Sequence, residues 1–308
     1  MSDSIMHRMK TNYELPARRF LPRRIPVVVR IDGRAFHTFT KGFRRPFDSK
    51  LIESMLQAAL GVASDMQGFK MGYIQSDEAS FVMTDYDTLQ TDAWFGYCQN
   101  KIESIAASVM TANFARCMRL MSVTQLAYFD ARSFSIPESE VANYFLARAL
   151  DWKRNSVQMY ANSVYSQKEM HGKGHAALHE MLHTKGMNWT WDLDAYERNG
   201  TFIYKLPHNT GNNGNFQVSP EVLPTYSEIA NIWDQVNPSS QPDVASGYER
   251  PANCVAVCWH CDREVDTGGH GWLCPACGQH GADPNPASSF QEGRETNRPY
   301  WLGKALAT

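Results

Sequence analysis

Long apolar runs are missing from this 308-residue sequence. With no stretch of about 20 apolar residues and a mean hydropathy of −0.44, it offers no membrane-spanning helix, and a soluble protein is expected. A secretory signal is missing too: the basic N-terminus MSDSIMHRMKTNYELPARRF has no apolar stretch behind it, so neither a leader nor an anchor is expected and the expected location is cytoplasmic. Cysteine is scarce and uneven. Cys98 and Cys117 stand alone, while five of the seven cysteines fall within 254–277, with the spacing of metal ligands rather than of a disulfide framework, which fits a reducing compartment. Net charge is nearly absent, −2 at pH 7, but the balance is local: residues 1–50 hold 12 Lys and Arg against four Asp and Glu, so they carry +8 and the remainder −10. Such asymmetry suits a polyanion, nucleic acid or nucleotide phosphates, and equally a solvated basic face.

What is present is enough for a core. The chain is 43% hydrophobic and 12% aromatic, which excludes disorder as its main state and allows one large domain or two smaller ones. PVVVRI (26–31) is β-branched without polar alternation, as in a strand buried on both faces, and Asp32-Gly33 ends it. SKLIESMLQAALGVASDM sets Leu51, Met55, Leu56, Ala59 and Val62 on one helical face, with Asp48 or Ser49 as the N-cap. FKMGYI (69–74) and ASFVMT (79–84) flank QSDE as a hairpin, residues 92–118 carry helical periodicity, and VTQLAYFD (123–130) reads as a strand ending in Asp130. The order strand, helix, strand, strand, helix, strand predicts an α+β fold with a ferredoxin-like βαββαβ core. A helical extension follows: one or two helices over 137–166 and another over 168–183. Residues 206–250 are rich in Pro, Asn, Ser and Gly and are expected as a linker or irregular cover with at most a short helix around 226–236. This divides the chain into a catalytic-type domain over 1–205, that cover, and a small C-terminal module over 251–308.

Phosphoryl and nucleotidyl transfer need two divalent ions about 3.5–4 Å apart, hence carboxylates converging from different strands. Asp32 and Asp77 meet that need, with Glu78 as an adjacent acid. Gly33 lets phosphate oxygens approach the backbone N–H groups of Gly33, Arg34, Ala35, Phe36 and His37, and Arg34 and His37 could add charge. By spacing alone, RIDG and SDE are also ordinary strand-ending turns.

Three ordered segments, VVVRIDGRAFHTFTKGFRRPFD (27–48), YIQSDEASFVM (73–83) and FDARSF (129–134), together resemble the tRNA-histidine guanylyltransferase family and its relatives that act as 3′-to-5′ polymerases. WKRNSVQMYANSVYSQKEMHGKG (152–174) and HEMLHTKGMNW (179–189) resemble the bacterial and archaeal repair-type members. The resemblance, over about residues 5–205, implies a polymerase-palm-like core. It implies two Mg²⁺ ions on Asp32, Asp77 and the Gly33 carbonyl, supported by Glu78, and nucleotide contacts from Arg34, His37, Ser76 and Lys101 around the triphosphate and Asp48 at the incoming base. Read from the residues, Lys101 is equally a solvated helix residue, His37 a core histidine and Asp48 a helix cap, and Asp130 pairs with Arg132. Where eukaryotic members carry His-Ile-Asn-Asn, this chain has Lys153-Arg154-Asn155-Ser156. Arg154, Asn155 and Ser156 are thus RNA-binding candidates, and template-dependent addition is expected over strict histidine-tRNA specificity. The implied chemistry activates an RNA 5′ end with ATP, or uses a 5′-triphosphate, and the 3′-hydroxyl of an incoming GTP or other NTP attacks it. A homotetramer is implied as well.

Cys258-x-x-Cys261, twelve residues, then Cys274-x-x-Cys277 form two knuckles spaced for one structural Zn²⁺, a zinc ribbon outside the usual family core. Cys254, His260, His270 and His280 are possible substitute ligands. Trp259, Arg263 and Trp272 could grip nucleic acid or build a small core. Two other functions use the same residues differently: a palm-type synthase or cyclase making a signalling nucleotide without RNA, and a catalytically inactive zinc-ribbon RNA-binding protein.

Overall fold

The computed structural model describes residues 4–206 and 215–238, together with the backbone of two short strands over 255–257 and 264–266. The chain forms two compact units, Met1–Ser240 and Gln241–Thr308. Among the described residues no helix is long and apolar enough to cross a membrane.

The first unit opens with a short helix α1 (Ile5–Met9) and then runs β1 (Val27–Arg34), α2 (Phe36–Phe39), α3 (Ser49–Asp65), β2 (Phe69–Gln75), β3 (Glu78–Met83), α4 (Gln99–Leu120) and β4 (Tyr128–Ser135). This is the expected βαββαβ order, and its strands lie as β4-β1-β3-β2 with every neighbour antiparallel. Several boundaries differ from expectation. Strand β1 runs on through Asp32-Gly33 to Arg34 instead of ending there, and the helix expected over 168–183 is broken after Met170 and resumes at His175. The fourth strand is Tyr128–Ser135 rather than 123–130, because it pairs with β1 along its full length, from Arg34 opposite Tyr128 to Val27 opposite Ser135. Asp130 is therefore inside the strand. The second long helix starts at Gln99 rather than 92, after a tight turn in which Phe95, Gly96 and Tyr97 all have positive φ.

Beyond β4 the chain forms α5 (Val141–Ala161), α6 (Gln167–Met170), α7 (His175–Thr184), α8 (Trp189–Asp192) and α9 (Ala195–Asn199), then β5 (Thr201–Lys205), β6 (Phe216–Ser219) and α10 (Tyr226–Val236). Strands β5 and β6 extend the sheet beyond β2 to six strands. Alternation along the strands separates two cores. Val27, Val29, Ile31, Ala79, Phe81 and Met83 meet α3 and α4 through Met55, Ala59, Val62, Ile102, Met110 and Phe114. Val28, Met71, Tyr73, Val82 and Phe202 point the other way, into Phe145, Trp152, Val157, Ile229 and Trp233 of α5 and α10. The helix expected near 226–236 is thus a wall of the core.

In the second unit β7 (Val255–Val257) pairs antiparallel with β8 (Glu264–Asp266), with Val257 opposite Glu264. Residues 258–263 connect them and include Cys258 and Cys261, but all four expected zinc ligands, Cys274 and Cys277 included, lie outside the described residues.

Candidate active site

The β1 end, the loop behind it and the β2–β3 turn are drawn to one place by the sheet. Asp32 stands in register with Glu78 on one side and Asp130 on the other. The two-residue turn Ser76-Asp77 places Asp77 beside the β1 end, where the Gly33 N–H donates to the Asp77 carbonyl at 3.0 Å. A Cβ at Gly33 would sit 2.9 Å from the Asp77 Cβ and 2.2 Å from a ring carbon of Phe36, so this approach requires glycine. Ser76 (φ 48°) and Ala35 (φ 54°) are both in the left-handed region, a cost of roughly 1–2 kcal/mol per residue carried at the two loops that meet here.

The three acids have different partners. Glu78 is buried, ion-paired to Arg30 and to Arg148 (3.4 Å), and accepts from Gln75 Nε2 at 3.3 Å. Asp130 is exposed and pairs with Arg132 at 3.3 Å, as the sequence suggested. Asp32 and Asp77, both half-buried, have no cationic partner among the described residues. Burial raises the Asp77 carboxyl above the usual aspartate value, and the charges of Asp32 and Glu78 raise it further against the hydrogen bonds that lower it.

Two cavities meet at this turn. One, of about 550 Å³, is lined by Gly33, Ala35, Phe36, His37 and Asp48 and by the cations Arg44 and Arg45. The other, of about 590 Å³, is polar, lined by Asp32, Asp77, Glu78 and one face of α5 together with His171 and Lys173. Gln75, Ser76, Asp77, Trp152, Met159 and Asn162 line both and form the partition between them.

The remaining candidates separate into those at the cavities and those away from them. Asp48 lines the first cavity and also caps α3, accepting from Lys50 N and Arg44 N at 2.9 Å each. Asn155 lines the polar cavity. Arg154 is exposed and paired with Asp151, and Ser156 is fully buried, its hydroxyl accepting the Trp189 indole N–H at 3.1 Å. Arg34 and Lys101 are exposed and line neither cavity, the Lys101 ammonium lying 5.3 Å from the Phe95 ring centroid. Sequence reasoning missed Gln75, Trp152 and Asn162 as partition residues and Arg148 as the partner of Glu78. A signal existed for part of this: Asp151, Asn155, Gln158 and Asn162 recur at helical spacing and give α5 a polar stripe toward the second cavity.

The family model described as "Thg1: tRNAHis guanylyltransferase" matches residues 6–137. A probable tRNA(His) guanylyltransferase of Dictyostelium discoideum is 29% identical over 199 residues, covering 59% of this chain and 75% of its own length. Among solved structures, a bacterial tRNA(His) guanylyltransferase (Thg1)-like protein in complex with ATP superposes with a TM-score of 0.70 at 37% identity, covering 76% of this chain and 99% of that protein. A bacterial Thg1-like protein in complex with GTP superposes with a TM-score of 0.63 at 35% identity, over the same shares.

Proposed function

Since the chain belongs to the tRNAHis guanylyltransferase (Thg1) family and is a nucleotidyltransferase, we propose that it adds nucleotides in the 3′-to-5′ direction to the 5′ end of tRNA or tRNA-like RNA. The observation that carries this reading is the partition. Asp32 and Asp77, without cationic partners among the described residues, stand in the polar cavity, and Asp77 lies where it meets the other, the arrangement a two-substrate displacement needs. The cavity with Arg44 and Arg45 suits the nucleotide, and the polar cavity along α5 suits the RNA end.

The donor set fits Mg²⁺. Among the described residues no three His, Cys, Asp or Glu side chains form a metal cluster, and Mg²⁺ characteristically takes one or two carboxylates and completes its shell with substrate phosphates and water. Asp32, Asp77 and the Gly33 carbonyl would hold it. Bound there, Mg²⁺ would neutralise phosphate charge and favour ionisation of the attacking hydroxyl. The chain's own residues do the rest. The Gly33–Asp77 hydrogen bond fixes the two loops, Phe36 closes the floor behind Gly33, and Arg30 with Arg148 neutralises the Glu78 charge. We assign Glu78 to support of the turn through Gln75. An ATP-activated 5′-monophosphate would lose AMP to the attacking 3′-hydroxyl of the NTP, and a 5′-triphosphate would lose pyrophosphate.

The test is Mg²⁺-dependent incorporation of each labelled NTP into histidine tRNA lacking its extra guanosine and into 5′-truncated tRNAs, with Asp77→Ala as control. Wild-type protein extends truncated RNAs with the complementary nucleotide, and Asp77→Ala loses at least about 100-fold in rate while staying folded. Full activity in that variant would overturn the site assignment. Incorporation of guanosine alone, and only on histidine tRNA, would narrow the activity to maturation. The cysteine knuckles support a structural zinc ribbon, for which Cys258→Ser should lower the zinc content measured per chain; unchanged content refutes it. A homotetramer is proposed on the family resemblance alone, and a cytoplasmic location on cysteines spaced as metal ligands rather than as a disulfide framework.

A further inference from the structure

Four of the ten histidines, His171, His175, His179 and His183, recur every fourth residue along the entry to α7 and the helix itself. The first belongs to the polar cavity, which His171 and Lys173 line. The next two form a pair: the rings of His175 and His179 lie 4.6 Å apart, centroid to centroid, and His179 is held edge-on by Trp189 of α8 at 5.9 Å. Neither imidazole has a side-chain hydrogen bond among the described residues, and Lys153 of α5 acts on both. Lys153 is the one cation that acts on the pair among the described residues, and Lys173 lies with His171 in the wall of the polar cavity. Lys153, Lys168, Lys173 and Lys185 take part in no ion pair among the described residues, while α7 itself carries one acid, Glu180.

Imidazoles that follow His171 and Lys173 of the cavity wall along the chain, together with a lysine without an ion-pair partner among the described residues, match a run of phosphates. We propose that Lys153, His175 and His179 form a proton-linked contact for the RNA backbone, a continuation of the path that begins at His171 and Lys173. This rests on the RNA substrate proposed above. Burial is the main cause that lowers both imidazoles from the ordinary histidine value; the Lys153 charge lowers both further, and His175 acts on His179 as well. The rings are therefore neutral at pH 7 without RNA. A phosphate beside them offsets Lys153 and favours imidazolium, so binding takes up protons and weakens as the pH rises. The groups that act on the pair are Lys153 from α5, the uncharged Trp189 from α8 and, on His179, His175 itself.

The test is the affinity of the full chain for 5′-truncated tRNA, by fluorescence anisotropy at fixed salt between pH 6 and pH 8, without nucleotide, in parallel with and without EDTA. Wild-type binding should weaken by roughly tenfold across this range, up to tenfold per pH unit being the limit for one linked proton. The double variant His175→Gln, His179→Gln keeps hydrogen-bonding groups but cannot take up protons, and its affinity should change less than about twofold over the same range. Lys153→Met should lower the slope of log affinity against log salt by about one. A wild-type pH dependence in the double variant overturns the proposal. So does a pH-linked term that vanishes in EDTA, which would make the rings ligands of a transition ion instead. RNA bound with this linkage but not extended would refute the polymerase reading and leave this one standing; extension with an unaltered pH dependence in the double variant would do the reverse.

Discussion

Ionising Asp77 costs the folded chain more than the unfolded one, because the side chain is half-buried and faces the charges of Asp32 and Glu78. A carboxyl raised in this way favours the folded state most below the ordinary aspartate value of about 3.9, and that margin is lost as the pH rises through the raised value. Asp77→Asn should therefore be more stable to heat than the wild type at pH 7 in the absence of Mg²⁺. The difference should shrink toward zero below about pH 4, and Mg²⁺ should raise the melting temperature of the wild type only. Scanning calorimetry with and without the ion reads all three. Asp32 and Asp77 were legible in the sequence because each follows an apolar run, although Asp32 lies within β1 and only Asp77 in a turn. The partners of Glu78 were not: Arg148 is 70 residues away on α5, and Arg30 becomes its neighbour only through the β1–β3 register, which puts Ser80 opposite Arg30 and Glu78 opposite Asp32.

At the scale of elements, local patterns located helices well and strand ends less well. The α3 stripe read from the sequence is the stripe that packs, with Met55, Ala59 and Val62 buried and Asp48 as the N-cap. Strand β4 was misplaced because the apolar VTQLA precedes it, whereas the actual strand is chosen by pairing with eight residues of β1 and buries Phe129 and Ser133 in alternation. Composition obscured the structural weight of 215–238. The segment is rich in loop-forming residues, yet β6 completes the sheet edge and α10 buries Ile229, Ile232, Trp233 and Val236. Trp233→Ala should accordingly cost about 3–5 kcal/mol, read as a lower midpoint in urea unfolding. A loss under 1 kcal/mol would show α10 to be a surface cover.

For the molecule as a whole, the βαββαβ order read from the sequence is realised as β4-β1-β3-β2. It could not anticipate that β5 and β6 would join beyond β2, because the Met71–Tyr204 pairing spans most of the first unit and leaves no local trace. The two cores on opposite faces of the sheet keep the β1 end and the β2–β3 turn fixed, and α5 supplies the wall across from them. That wall is common property. Gln75, Ser76, Asp77, Trp152, Met159 and Asn162 face both chambers, so an occupant on one side presses on the same six side chains that the other occupant must contact. On the occupancy proposed above, nucleotide in one chamber and RNA end in the other, affinities across such a septum should not be independent. Whatever factor a bound nucleotide applies to the grip on the RNA end, the RNA end applies to the grip on the nucleotide, which makes the order in which the two arrive a matter of rates alone.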